Sequence, residues 1–241
     1  MFYSRLIIAL LNLLDFFQQK KIIKLIKIKF LRPITVFDVG GHHGETIKLF
    51  SSKLKIKKIY SFEASPQNFQ VLKKKISKKH VDSGKVEIFN FGLGNKISKS
   101  FINQAIESSS STINELNKES NYLKRKLKIL NIKKKDNFYQ KIPIQLVTLD
   151  SFIEKHNIQK VDLLKIDTEG YELNVLNGFE EKLVNVNVIL FEHHYDLMIK
   201  KNYTFSDINN FLNKNGFIQK GKFKMPLRKT FEYIYINERY K

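Results

Sequence analysis

The sequence predicts a doubly wound α/β fold, a mostly parallel, Rossmann-like sheet flanked by helices and closed by a C-terminal antiparallel hairpin. Three observations predict it. From Pro33 onward, short runs rich in β-branched and aromatic residues alternate with longer helical stretches, the pattern of a parallel sheet covered on both faces. The first run leads into a glycine-rich turn, VFDVGGHHG. The last two runs, 217–222 and 231–236, are separated by a short loop containing Pro226, which suits a hairpin and leaves no room for a crossover helix.

Length and composition bound the rest. A chain of 241 residues, 42% hydrophobic and 27% charged, can bury one substantial core and is not globally disordered. It contains no cysteine, which removes disulfides, thiolate metal sites and cysteine nucleophiles together and permits a cytoplasmic setting. A formal charge of +20 suggests a polyanionic partner. Yet the arginines are only Arg5, Arg32, Arg125, Arg228 and Arg239, whereas phosphate recognition favours the planar guanidinium fork. The charge therefore reads first as a lysine-rich compositional bias.

Residues 1–32 read as a basic amphipathic helical extension preceding a main domain over 33–241. The segment from Leu6 to Leu14 is apolar except for Asn12, well short of the ~20 residues needed to span a bilayer. KKIIKLIKIKF follows, and Pro33 halts the helix. This extension is expected to pack on the domain and solvate its lysines; the competing reading is peripheral attachment to the inner membrane face. Strands are expected over 34–39, 58–63, 86–91, 161–166 and 186–192, with helices over 45–53, 67–79 and 172–182. An insertion at about 92–148 holds the serine run 108–111 and a lysine-rich helix near 123–135. The serines read as pocket-lining hydroxyls or as a flexible loop, and the lysines as a solvated helix face.

Three constellations carry chemistry. In the glycine turn, Gly40, Gly41 and Gly44 let the chain turn sharply and let a ligand lie against backbone at a helix amino-terminus. Glu63, ending the next strand, stands where a ribose-binding carboxylate is expected. The spacing departs from the dinucleotide fingerprint, and Asp38 would repel a pyrophosphate while suiting a cationic donor. In the second, DLLKIDTEGYE, Lys165, Asp167, Glu169 and Glu172 crowd the carboxyl end of a strand, the edge at which such sheets bind ligands. Asp167 and Glu169 are expected to face the acceptor, Glu172 to support the next helix, and Lys165 to form a supporting ion pair with it. The third, FEHHYD, brings Glu192, His193 and His194 to the same edge. His193 is the candidate general base there. No paired spacing defines a metal site, and none is expected; His42 and His43 read as further bases or as loop residues.

These stretches resemble the FkbM-type methyltransferase family. DVGGHHG is similar to its DxGANxG turn, FEASPQN to its FEPxPxN segment, VTLDSF to its TLD element, and KIDTEGYELNVLNGF to its KIDxEGxE signature. The resemblance implies a class I methyltransferase fold, S-adenosyl-L-methionine as donor, and O-methylation of a hydroxyl on a sugar, glycan or natural product. Mapped residue by residue, it places the donor on Asp38, Gly40, Gly41, His42, Gly44 and Glu63, with Asp167, Glu169 and His193 as catalytic candidates. Gly41 and His42 depart from the family's Ala and Asn, and Ala64 from its Pro. The alternatives are a ribose of RNA as acceptor, drawn by the basic surface, and a non-catalytic membrane-associated module of glycan assembly.

Overall fold

The computed structural model describes residues 2–76, 83–129, 138–179 and 181–240, with side chains from residue 15 onward. Helix α1, Phe2–Lys29, opens the chain. Strands and helices then alternate: β1 Ile34–Val39, α2 Glu45–Lys53, β2 Ile56–Phe62, α3 Pro66–Lys75 and β3 Val86–Phe89. The next stretch contributes β4 Gly92–Leu93, β5 Ser98–Ala105, α4 Asn121–Ile129 and β6 Tyr139–Val147. Alternation resumes with α5 Leu149–Lys155, β7 Val161–Ile166, α6 Glu172–Leu176, β8 Val186–His194 and α7 Phe205–Lys214, and ends in β9 Phe217–Lys224 and β10 Thr230–Asn237.

The central sheet runs β3-β2-β1-β7-β8-β10-β9. Its pairings from β3 to β8 are parallel, and β10 inserts antiparallel between β8 and β9. This is the expected doubly wound α/β architecture with its closing antiparallel hairpin. β7 lies beside β1, and every residue of VDLLKI is buried, as a strand covered on both faces requires. Local chemistry sets the helix starts. Ser65 caps α3 by accepting from the Asn68 amide, with Pro66 in the first turn. Thr148 caps α5 through the Ser151 amide, and Thr204 and Asp207 form a reciprocal capping box on α7.

Each sheet face has its own core. Phe37, Leu164, Phe191 and Tyr233 belong to one; Val36, Leu163 and Val188 belong to the other, together with Ile22, Ile23 and Ile26 of α1. The amino-terminal helix thus docks on the sheet through its isoleucines. Lys29 reaches the Tyr240 carbonyl, and Arg228 pairs with Asp15.

One expected helix needs correction. The helix expected over 172–182 ends at Leu176, and a 3-10 turn covers Lys182–Asn185. Gly178 explains the break: a Cβ there would lie 2.3 Å from the Gly94 carbonyl oxygen, a contact that only glycine permits. Within the insertion, β4, β6 and β5 make a three-stranded sheet, on one side of which Ile102, Ile144 and Leu146 are buried. The parts of the expected helices that cover 77–79 and 130–135 lie outside the described residues.

Docking of α1 has a direct test. Ile26 is 1% exposed and Ile28 is 66% exposed. Ile26→Ala should cost about 2–5 kcal/mol, read as a fall in Tm of roughly 2–4 °C per kcal/mol, whereas Ile28→Ala should change stability by less than about 0.5 kcal/mol. Equal effects in thermal denaturation would contradict the docking.

Candidate active site

The carboxyl edge of the parallel strands gathers two groups of side chains. The first surrounds the turn after β1. Backbone amides of Gly40 and Gly41 both donate to the Phe62 carbonyl at 2.9 Å, which fastens the turn to the end of β2. Gly40 has φ 87°, and a Cβ on it would lie 1.8 Å from the Asp167 carbonyl oxygen, so the loop after β7 presses directly on the turn. Gly41 lies over the Ser61 hydroxyl, and Gly44 begins α2. Asp38 is fully buried; its Oδ2 accepts from Ser61 at 2.8 Å, while its Oδ1 has no hydrogen bond. Burial raises its carboxyl above the ordinary range.

Glu63 lies beside them. Its two oxygens accept from the His42 amide at 2.7 Å and the Ser65 amide at 2.8 Å, and burial still pushes its carboxyl up to about 7. His42 bonds Ser108 at 2.8 Å and Glu45 at 3.3 Å through its two ring nitrogens, and it stacks on His43. His42, His43 and Glu45 bring three donor atoms within 4.8 Å of one another. Although burial opposes it, the His42 contact holds Glu45 down to about 2.

The second group is acidic. Lys165 points to the same sheet face as Asp38 and bonds Asp167 at 2.9 Å. That ammonium overcomes the effect of burial and holds the Asp167 carboxyl below the ordinary range. Glu169 is different. Its backbone is left-handed, φ 52°, a conformation uncommon outside glycine. The insertion holds it there: Thr112 donates to the Glu169 carbonyl at 2.8 Å, and Asn114 donates to the Gly170 carbonyl. Glu169 Oε2 is buried without a hydrogen bond, 3.4 Å from His194 Nε2. Burial, with Glu192 and Asp167 adding to it, pushes this carboxyl up to about 8 against the pull of His194. Burial, reinforced by Glu192, likewise pushes Glu232 of β10 up to about 8.

The sequence placed His193 with these acids, and the structure puts it elsewhere. Successive side chains of a strand point to opposite faces, so along β8 Glu192 and His194 share a face and His193 takes the other. His193 is buried against Tyr195, Tyr203 and Phe205, and burial, with Lys201 nearby, pushes its ring down to about 3. His194 joins the acids instead. Its Nε2 is 3.3 Å from Glu192, and its Nδ1 is 3.4 Å from Asp196 and 3.1 Å from the Thr230 hydroxyl. Burial opposes a charge there, yet Glu169 and the other acids hold the imidazole well above its ordinary value.

Two supporting roles also differ from expectation. Glu172 makes no ion pair with Lys165. It accepts from the Gly170 amide at 2.8 Å, Thr168 at 3.1 Å and Tyr203 at 2.5 Å, which fastens the acid loop to α6. The serine run is built in: Ser108 meets His42, and Ser111 accepts from the Ala105 amide. Of the missed residues, His194 was legible from strand parity. Asp196, Thr230 and Glu232 were not, because they arrive from the loop after β8 and from β10.

Beyond Asp196 opens a cavity of about 440 Å³ whose lining includes Asn117, Asn121, Tyr122, Arg125 and Lys229. The insertion and the loop before β10 thus form walls of a space that borders His194's partner.

Comparison with known proteins gives the following. The Methyltransferase FkbM domain matches residues 38–218. The hexuronic acid methyltransferase AglP of Haloferax volcanii is 35% identical over 51 residues, 21% of each protein. A methyltransferase FkbM structure from Methylobacillus flagellatus superposes with a TM-score of 0.53 at 14% identity, over 85% of this chain and 43% of that one. A protein of the NADB-Rossmann superfamily from Streptococcus agalactiae gives 0.50 at 13% identity, over 89% and 67%. The chain therefore spans about a fifth of the curated relative and less than half of the FkbM structure.

S-adenosylmethionine is the donor of this family, and the residues around the turn fit it. Glu63 keeps free lone pairs beside its two amide bonds for a pair of ribose hydroxyls, the unsatisfied Asp38 oxygen suits the donor's cationic end, and Gly40 and Gly41 leave backbone bare. Two hydroxyls accepted by a charged carboxylate contribute about 1.5–3 kcal/mol each. Glu63→Ala should therefore weaken donor binding at least about tenfold in calorimetry. Since the charged form is the better acceptor and this carboxyl titrates near 7, wild-type affinity should rise with pH through that value, and Glu63→Gln should flatten the dependence. Wild-type affinity with the wild-type pH dependence in both variants would move the donor elsewhere.

Proposed function

Because the chain belongs to the FkbM methyltransferase-domain family, we propose that it is an S-adenosylmethionine-dependent O-methyltransferase whose acceptor is a hydroxyl of a sugar or glycan, with Glu169 as general base. Bound donor supplies an electrophilic methyl group. The observation that carries the assignment is Glu169 itself: a carboxylate oxygen without a hydrogen bond, in strained backbone, on the loop that presses on the donor turn. Strain of this kind costs about 1–3 kcal/mol and persists where surrounding structure enforces it. A base is most effective with a value near the working pH, and Glu169 at about 8 meets that condition.

The neighbours divide the remaining work. Glu169 Oε2 removes the acceptor hydroxyl proton. His194, held at Nδ1 by Asp196 and Thr230, positions Glu169 and compensates its charge. Asp167 stays ionised beside Lys165 and holds that ammonium under Asp38, where it offsets the buried carboxylates. His193 takes no part in this reading, being turned into an aromatic pocket. The cavity beside Asp196 offers the amides of Asn117 and Asn121, the Arg125 guanidinium and the Tyr122 ring, groups suited to the hydroxyls and C–H faces of a sugar ring. The partial similarity to a hexuronic acid methyltransferase supports that class.

Turnover is measured as S-adenosylhomocysteine release with methyl glucuronide as acceptor and an RNA oligonucleotide as competitor. Glu169→Gln should lower kcat about 10²–10⁴-fold and leave donor affinity unchanged. Because the base acts deprotonated, the wild-type rate should climb with pH through about 8, and the variant should lose that limb. A variant with wild-type rate and pH profile would remove Glu169 from the chemistry, and turnover on RNA alone would replace the acceptor class.

A further inference from the structure

Among the side chains described from residue 15 onward, α1 has a docked face and an exposed one. Ile22, Ile23 and Ile26 enter the core. Phe16, Phe17, Leu25, Ile28 and, just beyond the helix, Leu31 stay exposed; Phe17 is 57% and Leu31 81% accessible. At about 100° per residue, Phe17, Lys21, Lys24 and Ile28 lie along one line on the side opposite Ile26, flanked by Lys20, Lys27 and Leu25. Each of these lysines is exposed. Asp15 is the single acid of the helix, and it is turned inward to Arg228. A helix that merely solvates its outer face would show lysines there and keep its phenylalanines and isoleucines inside. Here aromatic and aliphatic side chains are interleaved with ammonium groups, and no carboxylate is among them.

We infer that this outer face of α1 is a docking surface for an anionic lipid bilayer, on which the helix lies in the interfacial plane. The charge complementarity selects the occupant. Lysine ammoniums meet anionic headgroups while Phe17, Ile28 and Leu31 enter the boundary with the acyl chains, the arrangement of an interfacial helix. No helix among the described residues is long and apolar enough to cross a membrane, so attachment is to one surface. Nucleic acid is the less suited occupant, since residues 15–31 contain no arginine and exposed aliphatic groups gain nothing from phosphates.

Co-sedimentation of the full chain with vesicles tests this, using phosphatidylcholine alone and an equimolar mixture with phosphatidylglycerol, at low and high salt. The protein should partition onto the mixed vesicles and much less onto neutral ones, with binding weakened by salt. Each lysine near an anionic surface contributes about 1 kcal/mol, so the triple variant Lys20→Glu, Lys24→Glu, Lys27→Glu should partition at least about 100-fold less. The variant Phe17→Ser, Ile28→Ser should lose about tenfold or more. All replaced side chains face outward, so both variants should keep wild-type Tm and donor affinity, which separates this proposal from the methyltransferase reading. Absence of vesicle binding overturns it. So does binding that ignores the Phe17 and Ile28 replacements while tracking affinity for an RNA oligonucleotide, or a dimer in sedimentation velocity that loses vesicle binding by burying this face.

Discussion

The contact on which the rest of the site depends is the one between Gly40 and the Asp167 carbonyl. β1 and β7 are neighbours in the sheet, and the Asp167 amide continues their ladder by donating to the Val39 carbonyl at 2.9 Å. The next backbone group, the Asp167 carbonyl, then occupies the space where any Cβ at Gly40 would stand. The glycine turn and the acid loop are thereby one rigid junction. Proximity and orientation contribute a large share of a transfer reaction's acceleration, and this junction fixes both without any side chain. It also explains the demand for glycine in the turn by a specific collision, alongside its positive φ.

A cost accompanies the arrangement, because the same sheet edge carries more carboxylates than cations. Asp38, Asp167, Glu169, Glu192 and Glu232 share it with Lys165 and His194. Lys165 is nearly buried, and although desolvation works against its charge, Asp167 and Asp38 hold it well up. The cations are distributed unevenly: Asp167 has an ammonium at contact distance, whereas Glu169 has only an imidazole at 3.4 Å shared with Glu192 and Asp196. That asymmetry separates Asp167, held ionised, from Glu169 and Glu232, which burial pushes up to about 8. Divergence of this kind marks a functional site more than a stabilising one.

How much of this was legible depends on range along the chain. β1, α2 and β7 have the bounds read from sequence, since each is a short apolar run or helix stretch set off by glycine, proline or acid. The donor turn and Glu63 sit on adjacent strands joined by one helix, so their meeting follows from the parallel fold. His193 and His194 are adjacent in sequence, and the alternation of β8 assigns them to opposite faces, so only His194 meets the acids. Glu232 and Thr230 reach the edge because β10 inserts between β8 and β9, a pairing that no local pattern announces. The inserted sheet was hidden more deeply. β5 and β6 carry lysine, serine and glutamine through much of their length, and they pair across α4, so neither periodicity nor turn chemistry exposed them.

The insertion and α1 have in common that each meets the site from outside the alternating strands and helices of the main sheet, and each does so through a polar tie. Thr112 and Asn114 clamp the strained backbone at Glu169 and Gly170, while Asp15 of α1 pairs with Arg228, next in sequence to Lys229 of the cavity wall. The apolar contacts of both elements lie elsewhere: Ile102, Ile144 and Leu146 in the one, Ile22, Ile23 and Ile26 in the other. Burial anchors the elements, and a few hydrogen bonds and one ion pair set their geometry at the reaction centre. The Gly40 to Asp167 junction rests on backbone contacts alone, so under the proposed function acceptor choice can change with the insertion and α1 while that junction stays as it is.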